Sequence, residues 1–306
     1  MRLLLAGWGD LARGVGDDAA VLDVPAGERL VVSIDSSVED VHFRRGWLTP
    51  EEIGWRAATS ALSDLAAMAA RPLAVVVAMA VPAAWRDALA ALGDGVGAAV
   101  RAAGAVIVGG DLTTARELAL TMTVLGSAAR PVGRGGAQPG DALYVTGHLG
   151  GPRRALRAFE RGEPPTPADR ARFARPEARL AAARWLADRG AHALVDVSDG
   201  LAADLAHIAA ASRVHCTVDV DHVPRVAGAG TMDALASGEE YELACAAPAS
   251  LDPAACVRDT GVALTRIGWV EPVTEQRPAG VSLWMHRGRA GEARVDLPPG
   301  HDHFTG

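Results

Sequence analysis

Two β-branched runs, Ala19 to Val24 and Leu30 to Ile34, flank Pro25-Ala26-Gly27, a pattern that predicts two strands joined by a turn. Thr49-Pro50-Glu51-Glu52 then carries the marks of a helix start, with proline at the first helical position and acidic residues in the first turn. Ile53, Ala57, Ala61 and Leu65 continue it at helical spacing. A strand over Leu73 to Ala80, a helix over Trp85 to Ala103, and strands over Ala105 to Val108 and Leu118 to Leu125 complete the first half.

The pattern fades across Arg130 to Gly140, a stretch rich in glycine and proline, so the expected division is residues 1–135 and 136–306. The second half restarts with a strand over Ala142 to Thr146. Helices follow over Arg153 to Glu160 and Pro176 to Arg189, then a strand over Ala193 to Val197 and a helix over Gly200 to Ala211. Strands at Cys216 to Val220, Tyr241 to Ala246 and Leu264 to Trp269 close the series, and Gly162 to Pro167 reads as an exposed proline-rich loop. Strands and helices mix in both halves, which predicts an α/β (α+β) architecture in two domains.

Composition narrows the chemistry. The longest apolar run, Leu73 to Val81, is too short to span a bilayer, and Leu3-Leu4-Leu5 is too brief for a signal-peptide core, so a cytoplasmic protein without a membrane partner is expected. The formal net charge of -7 disfavours nucleic acid as a partner, because phosphate backbones are bound by basic faces. The three cysteines, Cys216, Cys245 and Cys256, form no C-x-x-C pair and read as small buried apolar residues. The chain contains no lysine. That excludes the phosphate-loop lysine, the strand lysine of protein kinases and any Schiff-base lysine, so bound ATP would be met by metal ions and arginine.

Carboxylates recur beside glycine or at the ends of predicted strands: Gly16-Asp17-Asp18, Ser33-Ile34-Asp35-Ser36, Ser63-Asp64, Gly109-Gly110-Asp111 and Asp196-Val197-Ser198-Asp199-Gly200. A strand's C-terminal end faces the crevice where α/β proteins bind ligands. Each pair also reads as a turn or a helix cap when taken alone. Asp64 is the strongest candidate, since it sits among Ala61-Leu62 and Leu65-Ala66-Ala67-Met68, where a buried carboxylate needs a partner. Carboxylates suit Mg²⁺, which takes hard oxygen ligands, and could neutralise a triphosphate only through such ions. His301-Asp302-His303 reads as a C-terminal tail.

These segments, with His42-Phe43, Leu62-Ser63-Asp64-Leu65-Ala66-Ala67-Met68, Ser237-Gly238-Glu239-Glu240-Tyr241-Glu242-Leu243 and Asp302-His303-Phe304, resemble in the same order the thiamine-monophosphate kinase family of the aminoimidazole-ribonucleotide-synthetase-like superfamily. The resemblance implies an N-terminal metal- and ATP-binding domain that pairs with a second copy into a dimeric β-barrel, and a C-terminal α/β sandwich. It implies several Mg²⁺ ions held by Asp18, Ser33, Ile34 through its backbone, Asp35, Asp64, Asp111, Asp196 and Asp199. It places Gly110, Asp111, Arg134 and Ser198 at the nucleotide, and His42, Glu239 and His301 at the thiamine monophosphate. From spacing alone, Arg134 reads equally as a solvated linker residue and His42 as a loop histidine.

Three departures stand out. Ile34 occupies a position where the family often has threonine, leaving only its backbone carbonyl as a ligand; Glu240 replaces a common aspartate; and the stretch before Gly16 is short for an opening helix. Sister families that use an N-terminal cysteine with a nearby lysine fit poorly, since the first cysteine is Cys216 and lysine is absent. The resemblance implies ATP-dependent, in-line phosphorylation of a phosphate acceptor without a general base. The alternative is a nucleotide-binding member with another acceptor or without turnover.

Overall fold

The computed structural model describes residues 2–15, 18–286, 292–296 and 298. They form two compact units, one from Met1–Leu65, Ala70–Pro131 and Ala174–Leu180, the other from Ala66–Ala69, Val132–Phe173 and Ala181–Gly306.

The first unit opens with a short helix α1 (Arg2–Trp8), where the sequence reading expected little helix before Gly16. Strand β1 (Arg29–Val38) follows, then helix α2 (Pro50–Ala67), strand β2 (Arg71–Val81), helix α3 (Leu89–Ala102), and strands β3 (Val106–Thr114) and β4 (Ala119–Ala128). The start of α2 is secured by reciprocal bonds: Thr49 N–H donates to Glu52 Oε2 at 2.9 Å and Glu52 N–H to Thr49 Oγ1 at 3.3 Å. This capping box satisfies two donors that a helix end otherwise leaves open. The strands form one sheet in the order β1-β4-β2-β3, antiparallel except for the β2/β3 pair that α3 connects. Ile53, Leu62 and Leu65 of α2, Leu92 and Val96 of α3, and Val77 and Met122 of the sheet are fully buried. Gly54 and Gly95 let the two helices meet backbone to backbone. A Cβ on Gly54 would lie 2.1 Å from Leu92 O, and one on Gly95 2.0 Å from Glu51 O.

Two expectations change here. Ala19 to Val24 is not a strand: the described backbone there is irregular and Val21 is 93% exposed. β-branched composition favours extended chain, but a strand needs a ladder partner, and β1 takes its partner from β4. The helix expected from Trp85 is a 3₁₀ segment over Ala83–Ala88 followed by α3. The sheet is open and no barrel is closed by these strands.

In the second unit come β5 (Ala142–Thr146), α4 (Gly151–Glu160), α5 (Pro167–Ala174), α6 (Leu180–Asp188), β6 (Ala193–Asp196), α7 (Leu201–Ser212), β7 (His215–Asp219), α8 (Thr231–Leu235), β8 (Leu243–Ala247), α9 (Pro253–Thr260), β9 (Leu264–Glu271), β10 (Gly280–His286) and β11 (Glu292–Val295). Seven strands form a sheet in the order β11-β10-β7-β9-β5-β8-β6, with only β7 and β10 parallel. Central β5 is buried throughout and alternates: Leu143 and Val145 join the core with Leu201, Leu205 and Ile208 of α7. Burying such side chains contributes roughly 1.5–3 kcal/mol each. Helices α6 and α9 are tied together by Trp185, whose Nε1–H donates to Asp259 Oδ2 at 2.8 Å.

The expected loop is irregular, largely exposed chain up to Thr166, and helix α5 begins at its last residue, Pro167. Thr166 caps it, with Asp169 N–H donating to Thr166 Oγ1 at 3.2 Å and the hydroxyl donating back to Asp169 Oδ2 at 2.8 Å. The helix expected from Pro176 begins only at Leu180, because the preceding segment is used by the first unit: Trp55 Nε1–H donates to Pro176 O at 2.8 Å and Arg175 stacks 4.9 Å from the Trp55 ring. No helix among the described residues is long and apolar enough to cross a membrane.

Candidate functional site

In the first unit the candidate residues gather around β1 and α2. Alternation along β1 turns Ser33 and Asp35 toward the covered side with buried Val31 and Ser37, while Leu30, Val32 and Ile34 face outward. Asp64, near the end of α2, is half-buried, and Ser33 Oγ donates to its Oδ2 at 2.5 Å. Asp35 Oδ1 accepts the Ser36 N–H at 2.8 Å. A hydroxyl and two carboxylates thus share one sheet face, as a hard-cation donor set. Ile34 is 65% exposed with its side chain on the other face.

Gly110 stands level with Asp35 across the sheet, through Met122 and Val77. A Cβ there would fall 2.1 Å from Val77 O, so only glycine fits. Asp111 is exposed on β3 in the next row, with Ala78, Thr121 and Ser36, the row that alternation turns to the opposite face. Asp18 lies exposed on irregular chain. His42 Nδ1 accepts the Val38 N–H at 3.1 Å, which puts the ring proton of the neutral imidazole on Nε2 and makes that atom a donor. His301 and Asp17 lie outside the described residues.

The second unit gathers Asp196, Ser198, Asp199 and Glu239. Asp196 ends β6, and the turn from Val197 to Gly200 leads into α7. The segment 239–241 docks on that turn: Glu239 N–H donates to Ser198 O at 2.7 Å, and Glu240 and Tyr241 N–H to Val197 O at 3.1 and 3.0 Å. Glu239 and Tyr241 both adopt positive φ, 56° and 52°, a strained backbone that surrounding bonds hold in place. Gly238 is needed there, since a Cβ would meet Ser198 O at 2.7 Å. Arg134 is exposed at the linker, and its carbonyl accepts the Ser212 hydroxyl from the end of α7 at 3.0 Å.

Residues 16–128 match the family described as AIR synthase related protein, N-terminal domain, and residues 138–279 match its C-terminal domain. The thiamine-monophosphate kinase of Mycobacterium tuberculosis (strain CDC 1551 / Oshkosh) is 41% identical over 204 residues, and the match spans 66% of this chain and 61% of that protein. The thiamine-monophosphate kinase of Salmonella typhimurium is 34% identical over 278 residues, covering 85% of this chain and 84% of the relative. The chain belongs to the thiamine-monophosphate kinase family. A solved structure of a family member, described as AaThiL complexed with AMPPCP and TMP, superposes with a TM-score of 0.79 at 28% identity, covering 96% of this chain and 93% of the other. The mixed α/β, two-domain AIR-synthetase-like fold is shared with it.

Four charged residues without a role in the sequence analysis shape this family member's second unit. Asp204, in the first turn of α7, accepts N–H bonds from Ser198, Asp199 and Gly200 on its Oδ2, each at 3.1 Å. The signal was present as a carboxylate four residues after Gly200, on the turn of helix that faces back to the loop. Burial, followed by the charges of Asp199 and Asp196, raises the Asp204 carboxyl to about 7 against the loop's hydrogen bonds. Glu240 and Glu242 are buried beside each other and share Arg172, whose Nη2 lies 3.2 Å from Glu240 Oε2, 3.1 Å from Glu242 Oε1 and 2.6 Å from His148 O. Burial raises Glu240 to about 7, while Arg172, Ser237 and the Gly150 N–H pull it down. Cys216 and Cys245 are buried free thiols pushed up to about 12 by burial, which makes them inert.

These shifts predict a pH dependence. Asp204 and Glu240 have folded-state values raised from 3.8 and 4.5 to about 7, so between those limits the folded chain retains protons that the unfolded chain has lost. Metal-free stability therefore falls as pH rises from about 4 to 7, by up to roughly 1.4 kcal/mol per pH unit for each group, and is level above. Urea midpoints in EDTA at pH 5 and pH 7.5 should differ in that direction, and Glu240→Gln should shrink the difference; a midpoint that rises with pH contradicts the assignment.

Proposed function

We propose that this chain transfers the γ-phosphoryl group of ATP to thiamine monophosphate, giving thiamine diphosphate and ADP in a Mg²⁺-dependent, in-line step. The observation that carries the reading is a family member of the same fold holding AMPPCP and TMP, matched along 96% of this chain. The donor chemistry supports it. Ser33, Asp35 and Asp64 share one sheet face, and Asp196 and Asp199 flank the turn before α7; all are hard oxygen donors in a chain without lysine.

In this reading several Mg²⁺ ions would be held by Asp18, Ser33, the Ile34 carbonyl, Asp35, Asp64, Asp196 and Asp199, with Asp111 serving from the other face of the sheet, and when bound they would supply the positive charge that offsets the phosphates. Gly110, Asp111, Arg134 and Ser198 contact the nucleotide. Gly110 is required by the close approach of the Val77 carbonyl, and the Arg134 carbonyl is tethered by Ser212 while its side chain is exposed. His42 and Glu239 hold the thiamine monophosphate, with His301 assigned to the same substrate. Glu239 is fixed by its bond to Ser198 O, and the Nε2–H of His42 is suited to a phosphate oxygen.

The acceptor needs no base. A phosphate monoester has a second pKa of about 6, so its attacking oxygen is already ionised at neutral pH. The work left to the chain is orientation and charge balance. Residues 1–135 serve as the metal, nucleotide and dimerisation domain and residues 136–306 as the C-terminal domain. The outward face of β1, with Leu30, Val32 and Ile34 at 49, 55 and 65% exposure, is the surface we assign to a second copy, on which the open sheet closes into a barrel. The enzyme is placed in the cytoplasm.

Purified protein with ATP, Mg²⁺ and thiamine monophosphate should yield ADP and thiamine diphosphate in equal amounts, and sedimentation should report the mass of two chains. Nucleotide binding without product would overturn the kinase reading in favour of a member that has lost turnover or takes another acceptor.

A further inference from the structure

One oxygen in the second unit has no bonding partner. Asp204 is 1% exposed, its Oδ2 is committed to three backbone N–H groups, and its buried Oδ1 has no hydrogen-bond partner among the described residues. Leaving a buried acceptor unmatched costs about 1–3 kcal/mol, and more when it is charged. Such an oxygen calls for a ligand.

Two further donors stand beside the Asp204 carboxylate. One ligand atom from each of Asp199, Asp204 and His207 lies within 4.8 Å of the others. Ligands on opposite sides of a hard cation are about 4–5 Å apart, twice a metal–oxygen distance of roughly 2.0–2.6 Å. Asp204 and His207 are three residues apart on α7 and therefore neighbours on one helix face. Asp199 is delivered by the turn that Asp204 itself anchors. A helix and a turn pinned to it thus converge two carboxylates and an imidazole, the imidazole exposed and open to an entering ion.

We propose that Asp199, the free oxygen of Asp204 and His207 form a divalent-cation site. Two carboxylates with one imidazole make it a seat for a first-row divalent ion such as Mn²⁺, which takes oxygen ligands as Mg²⁺ does but sheds water for a nitrogen donor more readily. Asp199 is shared with the Mg²⁺ set proposed above, while Asp204 and His207 are new ligands. The inference concerns binding alone and stands whether or not the chain turns over thiamine monophosphate.

The test uses the full chain and Mn²⁺ without nucleotide. Electron spin-echo modulation reads coupling from a metal-bound ¹⁴N, and a parallel titration reads affinity. Wild type and His222→Ala, at an exposed histidine outside the site, should both show nitrogen coupling; His207→Ala should lose it and weaken one class of Mn²⁺ site by at least the 10–100-fold that loss of even an outer-shell partner brings. Asp204→Asn keeps one oxygen for the three N–H groups and puts an amide NH₂ in place of the free oxygen, so it should weaken the same site while the far-ultraviolet dichroism is unchanged. No nitrogen coupling in wild type, or coupling that survives His207→Ala, overturns the proposal. So does an Asp204→Asn protein that binds Mn²⁺ like wild type, the result expected if Asp199 and Asp204 merely share a proton. Should Asp204→Asn fail to fold, His207→Ala decides alone.

Discussion

Arg172→Ala is expected to destabilise the chain by about 3–5 kcal/mol, the cost of stripping the partner from buried carboxylates. Arg172 pairs with both Glu240 and Glu242, which are 4% and 0% exposed, and also bonds the His148 carbonyl. The surroundings cannot relax into the gap. Glu242 Oε2 accepts the Thr146 hydroxyl at 2.7 Å, Glu240 Oε1 accepts the Gly150 N–H, and a Cβ on Gly147 would lie 2.0 Å from Glu242 Oε1. Thermal unfolding should drop by roughly 10 °C. Adding Glu242→Gln should recover part of the loss, because the double variant buries one charge fewer. A double variant no more stable than Arg172→Ala would show that lost packing, not unpaired charge, is what matters. Arg172→Lys should rescue poorly, since a point ammonium cannot span the acceptors a guanidinium reaches.

Asp64→Asn is expected to remove most turnover with little effect on folding. The amide is nearly isosteric and its carbonyl oxygen still accepts from Ser33 Oγ, so the α2 to β1 contact survives. What is lost is a negative charge on the face shared by Ser33 and Asp35, the charge that a Mg²⁺ set needs. A fall in kcat/KM of at least 10²–10³-fold follows the scale seen when one transition-state-stabilising group is removed. The melting temperature should stay within a few degrees of wild type. Full activity in Asp64→Asn would sink the metal assignment on this face, whereas loss of activity with loss of fold would point to a structural carboxylate.

Local signals suffice where local physics decides the structure. Thr49-Pro50-Glu51-Glu52 announces α2 through proline at its first position and acidic residues in its first turn, to which the structure adds a capping box, and Ala142 to Thr146 is strand β5 residue for residue. The same rules were available at Thr166-Pro167-Ala168-Asp169, yet the expected loop ends at Pro167 with no helix assigned after it; the reciprocal Thr166 and Asp169 bonds make this segment the start of α5. The cost of that omission was Arg172, whose significance depends on Glu240 and Glu242, far away in the chain.

The sequence by itself determined the chemistry available: no lysine, carboxylates beside glycine, and an ordered set of motifs that names the family. These are properties of residue type and neighbour, so they survive without coordinates. Only the tertiary structure decided which of those carboxylates share a face. Ladder register sets Asp35 with Ser33 and turns Ile34 away, the β1–β4 pairing leaves Ala19 to Val24 without a strand partner, and the fold of the 198–200 turn spends one Asp204 oxygen on three N–H groups and leaves the other bare. Register, ladder partners and orphaned atoms belong to pairs of distant segments, and no single stretch of chain contains them.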